Sequence, residues 1–287
     1  MSSRTDSGSS SLRHGVELTA YLVNESRARM PDLAGDETAR AWIPETDRPA
    51  VRDLWDEYAD TVYPHDDLVV SLRRRRVFEA LAAALREDPD TVLVECGAGF
   101  SSYPWQLPFT TALGIDLPRI AEAKGRRIAE LVEAGVLPER DVRLLTADLS
   151  STAAIDALAD TVREVAAGRP VAFLVEGMLY YLPPVAARAL AGLGSRFGTK
   201  TVTIITYWPD FAESNRVLAK QRDWFRDRSI PEDATYFARG ELPSLLGEAV
   251  DDQGPDDLQQ RYMGAVSVPE DDLIPEYVAV TPFKAAP

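Results

Sequence analysis

The sequence predicts an α/β protein built on a mostly parallel sheet with helices on both faces. Two patterns carry this prediction. From Thr91 onward, short apolar runs alternate with helical stretches, as parallel strands joined by crossover helices do. The runs are also almost continuously apolar, which fits strands buried on both faces. The chain of 287 residues is long enough for one large domain with a substantial core.

Taken in order, residues 1–14 (MSSRTDSGSSSLRH) lack the apolar centre of a secretion signal and read as a flexible tail. Residues 12–30 carry a helical pattern, with Leu18, Tyr21, Leu22 and Glu25 on neighbouring turns. Across 31–70, Pro31, Pro44, Pro49 and Pro64 are expected to break helices. A firmer helix is predicted from about Asp67 to Arg86. Residues 15–90 are thus expected to form an N-terminal helical cap region, and 91–287 the core. The predicted strands are TVLVE (91–95), TTALGID (110–116), VRLLTAD (142–148), VAFLVEG (171–177) and TVTIITYW (201–208). Helices fall at about 117–134, 152–167 and 184–195. Further on come a helix at about 210–227, a short one after Gly240, and a last strand in EYVAVTPF (276–283). DDQGPDD (251–257) reads as a solvated loop.

Composition excludes several functions. Acidic residues outnumber basic ones 46 to 31, a net charge of −15. Such a chain is poorly suited to neutralising phosphates, so no nucleic-acid partner is expected. One cysteine, Cys96, excludes an internal disulfide and fits a reducing compartment. With only His14 and His65 besides, no thiolate or imidazole metal site is expected. No apolar stretch approaches bilayer length. The expected location is the cytoplasm, with no membrane partner.

The candidate chemistry lies at the strand ends. The first strand ends in Glu95-Cys96-Gly97-Ala98-Gly99-Phe100, where glycines let backbone approach a ligand closely. A dinucleotide fingerprint would place a third glycine at 102, where Ser102 stands, so a nicotinamide oxidoreductase is disfavoured. A tight turn without ligand is the bland alternative. The second strand ends at Asp116. That acid can accept from a ribose diol, or cap the helix that opens at Leu117-Pro118; the roles are compatible. At the third strand end, Asp148 can take an adenine amino group while Leu149 covers the ring, or Asp148 is only a loop residue. The fourth ends in Glu176-Gly177-Met178-Leu179-Tyr180-Tyr181, whose tyrosines are either rim aromatics or substrate contacts.

These stretches resemble the leucine carboxyl methyltransferase family, including its bacterial branch of tetracenomycin-type polyketide O-methyltransferases. The resemblance covers roughly residues 15–185, through GVELTAYLVNESRA (15–28), LRRRRVF (72–78), VLVECGAGF (92–100), GIDLPRIAEAK (114–124), TADLSS (146–151) and VEGMLYYLPP (175–184). It implies a Rossmann-like class I S-adenosylmethionine-dependent methyltransferase fold with seven strands. It also implies S-adenosyl-L-methionine as the cofactor. It puts the backbone of Gly97 and Gly99 near the methionine part, Asp116 at the ribose, and Asp148 and Leu149 at the adenine, with Glu95, Ala98 and Leu117 among the other cofactor contacts. Glu176 and Gly177 would lie beside the sulfonium. An arginine before the first strand would pair with the cofactor carboxylate. Alignment gives Arg73, whereas helical periodicity groups Arg74 with Phe78, Leu81 and Leu85. The sequence departs from the family after the glycine loop: Ser101 to Leu107 is uncharged, where an aspartate and two arginines are usual.

Methyl transfer needs chiefly proximity and in-line alignment. An ionised carboxylate acceptor requires no base, whereas a phenol requires one or a lowered pKa. Neither histidine lies near the strand ends, which favours a carboxylate; Glu176, Tyr180 and Tyr181 are the residues that could assist a phenol. Tyr21 and Arg27 on the first helix, with Tyr207 and Trp208 at the fifth strand end, are candidate acceptor contacts. The expected partner is a small-molecule acceptor. Methylation of a peptide C-terminus and a catalytically silent cofactor-binding protein are the alternatives.

Overall fold

A computed structural model describes residues 16–198, 201–230, 234–238 and 240–282; the predicted tail lies outside them. The described chain opens with α1 (Val16–Arg29), a single turn α2 (Pro31–Ala34), α3 (Arg48–Thr61) and α4 (Asp66–Glu87). It continues through β1 (Val92–Cys96), α5 (Tyr103–Gln106), β2 (Ala112–Asp116), α6 (Pro118–Glu133), β3 (Val142–Thr146), α7 (Thr152–Ala166) and β4 (Val171–Val175). Then come α8 (Pro184–Ala191), β5 (Thr201–Pro209), α9 (Arg216–Asp227), β6 (Tyr236–Phe237), α10 (Glu241–Leu246), β7 (Asp251–Gln253), α11 (Pro255–Met263) and β8 (Tyr277–Val280).

The sheet runs β3-β2-β1-β4-β5-β8-β7, with the two-residue β6 beside the end of β5. Strands β1 to β5 pair in parallel, and β8 is antiparallel to both β5 and β7. This is an α/β fold of the expected class, with seven strands along its main path. Alternate residues of the central strands feed two cores. Val92, Val94, Phe173 and Val175 pack with α7 and α8 on one face. Leu93, Ala172, Leu174 and Ile204 pack with Leu72, Val77, Leu81 and Leu85 of α4 on the other. The chain leaves β1 toward β2, while β4 lies on the opposite side of β1. That reversal opens a crevice beyond the carboxyl ends of β1 and β4, where such sheets bind ligands.

Three sequence readings need correction. Pro31 and Pro49 open α2 and α3 instead of breaking a helix, because a first-turn N–H has no intrahelical partner to lose. The segment DDQGPDD is β7 followed by the start of α11, not a loop. Its Gly-Pro-Asp-Asp composition is helix N-terminus chemistry: Pro255 stands in the first turn and the Asp257 carboxylate accepts from Gly254 N–H at 3.2 Å. Finally, β3 is an edge strand with no fully buried residue. Among the described residues no helix is long and apolar enough to cross a membrane.

Candidate active site

A cavity of about 500 Å³ occupies the crevice, within the range of small-molecule sites. Its floor is the loop after β1. Gly97 and Gly99 both have positive φ, +73° and +42°. A Cβ on Gly97 would lie 2.8 Å from Met178 Sδ, so the turn requires glycine for both conformation and space. The Asp116 carboxylate ties this loop to the next strand: Gly99 N–H donates to Oδ2 and Leu117 N–H to Oδ1, each at 2.8 Å. Burial pushes the Asp116 carboxyl up, against the opposing pull of those two donors.

Beneath the loop, the buried Lys124 Nζ donates to Ala98 O at 3.1 Å and to Ser101 Oγ at 3.0 Å. Ser101 Oγ donates in turn to Glu95 Oε1 at 2.6 Å, while Glu95 Oε2 has no hydrogen-bond partner among the described residues. Burial raises the Glu95 pKa and lowers that of Lys124, each charge only partly relieving the other. At the far end of the cavity Leu149 is buried and Asp148 exposed. Asp148 Oδ1 accepts from Ser150 N–H at 3.0 Å; the hydroxyl and N–H of Ser150 hold its carboxyl below the usual range.

The near end is a charge network. Glu176 Oε1 accepts from Arg27 Nη2 and Arg73 Nε, both at 3.1 Å, and Oε2 accepts from the Tyr103 hydroxyl at 2.7 Å. Burial alone would raise this carboxyl, but Arg27, Arg73 and the Tyr103 hydroxyl outweigh it and hold it below the usual range. Arg73 Nη1 also donates to Glu276 Oε2 at 2.5 Å. Glu276 Oε1 accepts from Thr206, whose Oγ1 accepts from Gly177 N–H, both at 2.7 Å. With both oxygens occupied and its pKa lowered, Glu176 is suited to orienting groups and poorly suited to taking a proton.

Beyond Tyr180 lies a smaller cavity of about 60 Å³. It shares Thr19, Val23, Arg73, Tyr180 and Tyr181 with the larger one. Tyr180 stacks on Trp208 with centroids 4.1 Å apart and packs against Tyr181 at 4.7 Å. Tyr58, Tyr63 and Phe225 complete the aromatic wall.

The structure brings most of the predicted residues to this one place. Arg27, Arg73, Glu95, Gly97, Ala98, Gly99, Asp116, Leu117, Asp148, Leu149, Glu176, Gly177, Tyr180 and Tyr181 all line the larger cavity. Three do not line either cavity. Arg74, one helix position from Arg73 and so about 100° away, is fully buried between Tyr103 and Phe78; it hydrogen-bonds Gln106 and pairs with Asp36 at 3.6 Å. Tyr21 instead stacks on Phe100 at 4.9 Å. Tyr207 and Trp208, being adjacent on a strand, point to opposite faces. Trp208 reaches the smaller cavity, while the Tyr207 hydroxyl donates to Asp252 on the other side. The uncharged loop after Phe100 has its own clamp: Ser102 Oγ and Gln106 Nε2 both donate to Asp36, at 2.8 Å.

Sequence reasoning gave no role to Asn24, which lines the larger cavity, to Asp66, which lines the smaller one, or to Lys124 and Glu276. Lys124 stood inside the quoted GIDLPRIAEAK motif, and Glu276 was a lone acid opening an apolar strand; either could have been singled out. Asp66 stood one position before the predicted start of the helix and carried no distinguishing signal.

The leucine carboxyl methyltransferase family model matches residues 18–193. A protein of Mycobacterium sp. (strain KMS), provisionally named an S-adenosyl-L-methionine-dependent methyltransferase, is 30% identical over 256 residues, covering 82% of this chain and 80% of that protein. A similarly named protein of Mycobacterium tuberculosis (strain ATCC 25618 / H37Rv) is 32% identical over 217 residues, 65% of this chain and 64% of its own. Among solved structures, a provisionally named methyltransferase from Thermobifida fusca YX superposes with a TM-score of 0.60 at 15% identity, covering 99% of this chain and 100% of that one. That likeness concerns the fold. With the family match extending over the crevice and its glycine loop, the chain belongs to the leucine carboxyl methyltransferase family and is an S-adenosyl-L-methionine-dependent methyltransferase.

Proposed function

We propose that this enzyme methylates an oxygen of a small molecule, a carboxylate or a phenol, as in the polyketide O-methyltransferase branch it resembles. The observation that carries the reading is the convergence of four strand ends on one cavity, with a second, aromatic cavity directly beside it. A small, largely aromatic recess of about 60 Å³ suits a compact acceptor better than a peptide chain.

The residues present fit the adenosyl cofactor. Each Asp116 oxygen accepts one backbone N–H and keeps a lone pair for a ribose hydroxyl. Leu149 and Asp148 would cover and cap the adenine. The Arg27 Nε is buried without a hydrogen-bond partner among the described residues; it and Arg73 would hold the methionine carboxylate. Gly97 and Gly99 leave room for the chain between these ends. When bound, the cofactor supplies an electrophilic methyl group on a sulfonium. The protein's own work is alignment. Glu176, fixed by three donors, sets Arg27 and Arg73 relative to β4, and the Tyr180 ring, stacked on Trp208, forms the partition against which an acceptor is aimed. Residues 15–90 act as the cap that closes this site over the 91–287 core.

Isotope-labelled methyl transfer to a panel of small acids, phenols and C-terminal peptides tests the proposal. Labelled small molecules are expected. Labelling confined to peptide C-termini would overturn it.

A further inference from the structure

The larger cavity holds polar atoms that the protein itself does not satisfy. Among the described residues that line it, three carry a buried side-chain atom without a hydrogen-bond partner: the donor Arg27 Nε and the acceptors Asn24 Oδ1 and Glu95 Oε2. Glu95 Oε2 has only the Lys124 ammonium, 4.0 Å away. Asn24 is 1% exposed, so its bare oxygen costs free energy until a ligand donates to it. The amide has one favourable orientation. Its Nδ2 donates to Ala20 O, one turn back on α1, at 2.9 Å, and turning it over would set two oxygens against each other. Ala20, Val23, Asn24 and Arg27 form the stripe of α1 that lines the cavity. Ala20 Cβ lies 3.9 Å from where a Cβ on Gly99 would stand. Asn24 thus sits between the residue that covers Gly99 and the arginine that would hold the cofactor carboxylate.

We propose that Asn24 Oδ1 accepts a hydrogen bond from the α-ammonium of the cofactor's methionine part, with Glu95 Oε2 on the same group, so that the enzyme reads the end of its donor as a zwitterion. This rests on the donor-site reading above and extends it to a residue of α1 not included there. One α-carbon carries both ionic groups of the methionine part, so the ammonium nitrogen and the carboxylate carbon are about 2.5 Å apart. Residues three apart on a helix have Cβ atoms roughly 5–6 Å apart. A carboxylate held by Arg27 therefore brings the ammonium within reach of Asn24. The ammonium has three donors and no acceptor, whereas both orphaned oxygens only accept. The cofactor's other donors are already assigned, the ribose hydroxyls to Asp116 and the adenine amino group to Asp148. A neutral amide also serves the ammonium without adding a further anion beside the buried Glu95 and Glu176.

The test is titration calorimetry of the full-length protein with two probes: S-adenosyl-L-homocysteine, and its analogue with hydrogen in place of the α-amino group. Wild type should prefer the amine by about tenfold or more. Asn24→Leu, close to asparagine in size, should weaken S-adenosyl-L-homocysteine by about tenfold and shift the deamino analogue by under about twofold, so the preference narrows by the difference. Asn24→Asp keeps an acceptor oxygen and should restore the preference. Equal loss of both probes in the leucine variant marks a purely structural residue and overturns the proposal. So does a leucine variant that keeps the wild-type preference, which leaves the amine to Glu95 alone. A wild type that binds both probes within about twofold of each other overturns it as well, and needs no variant. Asn24→Ala supplies the same comparison where the leucine variant does not fold. Failure of the wild-type protein to bind either probe would sink the underlying donor-site reading instead.

Discussion

Replacing Asp116 with alanine should weaken cofactor binding by about 10²-fold. Its two carboxylate oxygens each accept one backbone N–H in the structure, leaving one lone pair on each for the two ribose hydroxyls. Two hydrogen bonds to a charged acceptor, at roughly 1.5 kcal/mol each at the low end, come to about 3 kcal/mol, and each 1.4 kcal/mol is tenfold. The substitution also releases the Gly99 N–H, loosening the loop in the same direction. Asp116→Asn should behave almost as badly, because its amide NH₂ must face one of two backbone donors. Titration calorimetry with the demethylated cofactor measures the loss, with circular dichroism confirming the fold. Because burial raises the Asp116 pKa, wild-type affinity should decline with acidification already above the ordinary aspartate range. A folded Asp116→Ala protein that binds within twofold of wild type would refute the assignment.

Three further outcomes are expected. Gly97→Ala should lower both the melting temperature and cofactor affinity, since its Cβ meets Met178 Sδ at 2.8 Å and its φ is +73°; adding Met178→Ala should relieve the clash and leave only the backbone strain, about 1 kcal/mol. Lys124→Met should destabilise by about 3–5 kcal/mol in chemical denaturation, because it strands the buried Glu95 without its cation at 4.0 Å; a change under 1 kcal/mol would show that Glu95 is protonated at rest. Glu176 has its folded pKa lowered, so its contribution to stability is complete above the ordinary glutamate range and is lost as pH falls through the lowered value. The melting-temperature gap between wild type and Glu176→Gln should therefore be widest near neutrality and close in acid. A gap that is constant with pH would refute the ion-pair account.

The strands and the glycine loop were legible because their signals are local. A five-residue apolar run followed by Gly97 and Gly99 leaves few alternatives, and Asp116 and Asp148 follow at strand ends by the same logic. What escaped was set by tertiary contact. Arg73 and Arg74 are neighbours in an arginine-rich turn; alignment put Arg73 first, while helical periodicity kept Arg74 as the second choice for its apolar companions. The structure buries Arg74 against Tyr103 and Asp36 and turns Arg73 to the cavity, a distinction that periodicity alone does not draw. Asp36 could not be foreseen as the anchor of Ser102 and Gln106, since those contacts span 66 and 70 residues. Tyr207 was misplaced because the sequence shows where a strand ends but not which of two adjacent aromatics faces the ligand side. The acid-rich stretch at 251–257 misled through composition, where capping chemistry and solvated loops look alike.

The ion pair between Arg27 and Glu176 joins positions 149 residues apart. On a ribosome extending at about 5–20 residues per second, roughly 7–30 s separate the emergence of the two partners. Throughout that interval α1 can pack against α3 and α4, where Leu18 and Leu22 join Trp55, Tyr58 and Val69, but Arg27 has no Glu176 to pair with. Pairing of α1 with the end of β4 thus waits until residue 176 has emerged. Variants that weaken this long-range seam should show up first as poor yield and chaperone dependence, before any defect is seen in the protein that does mature.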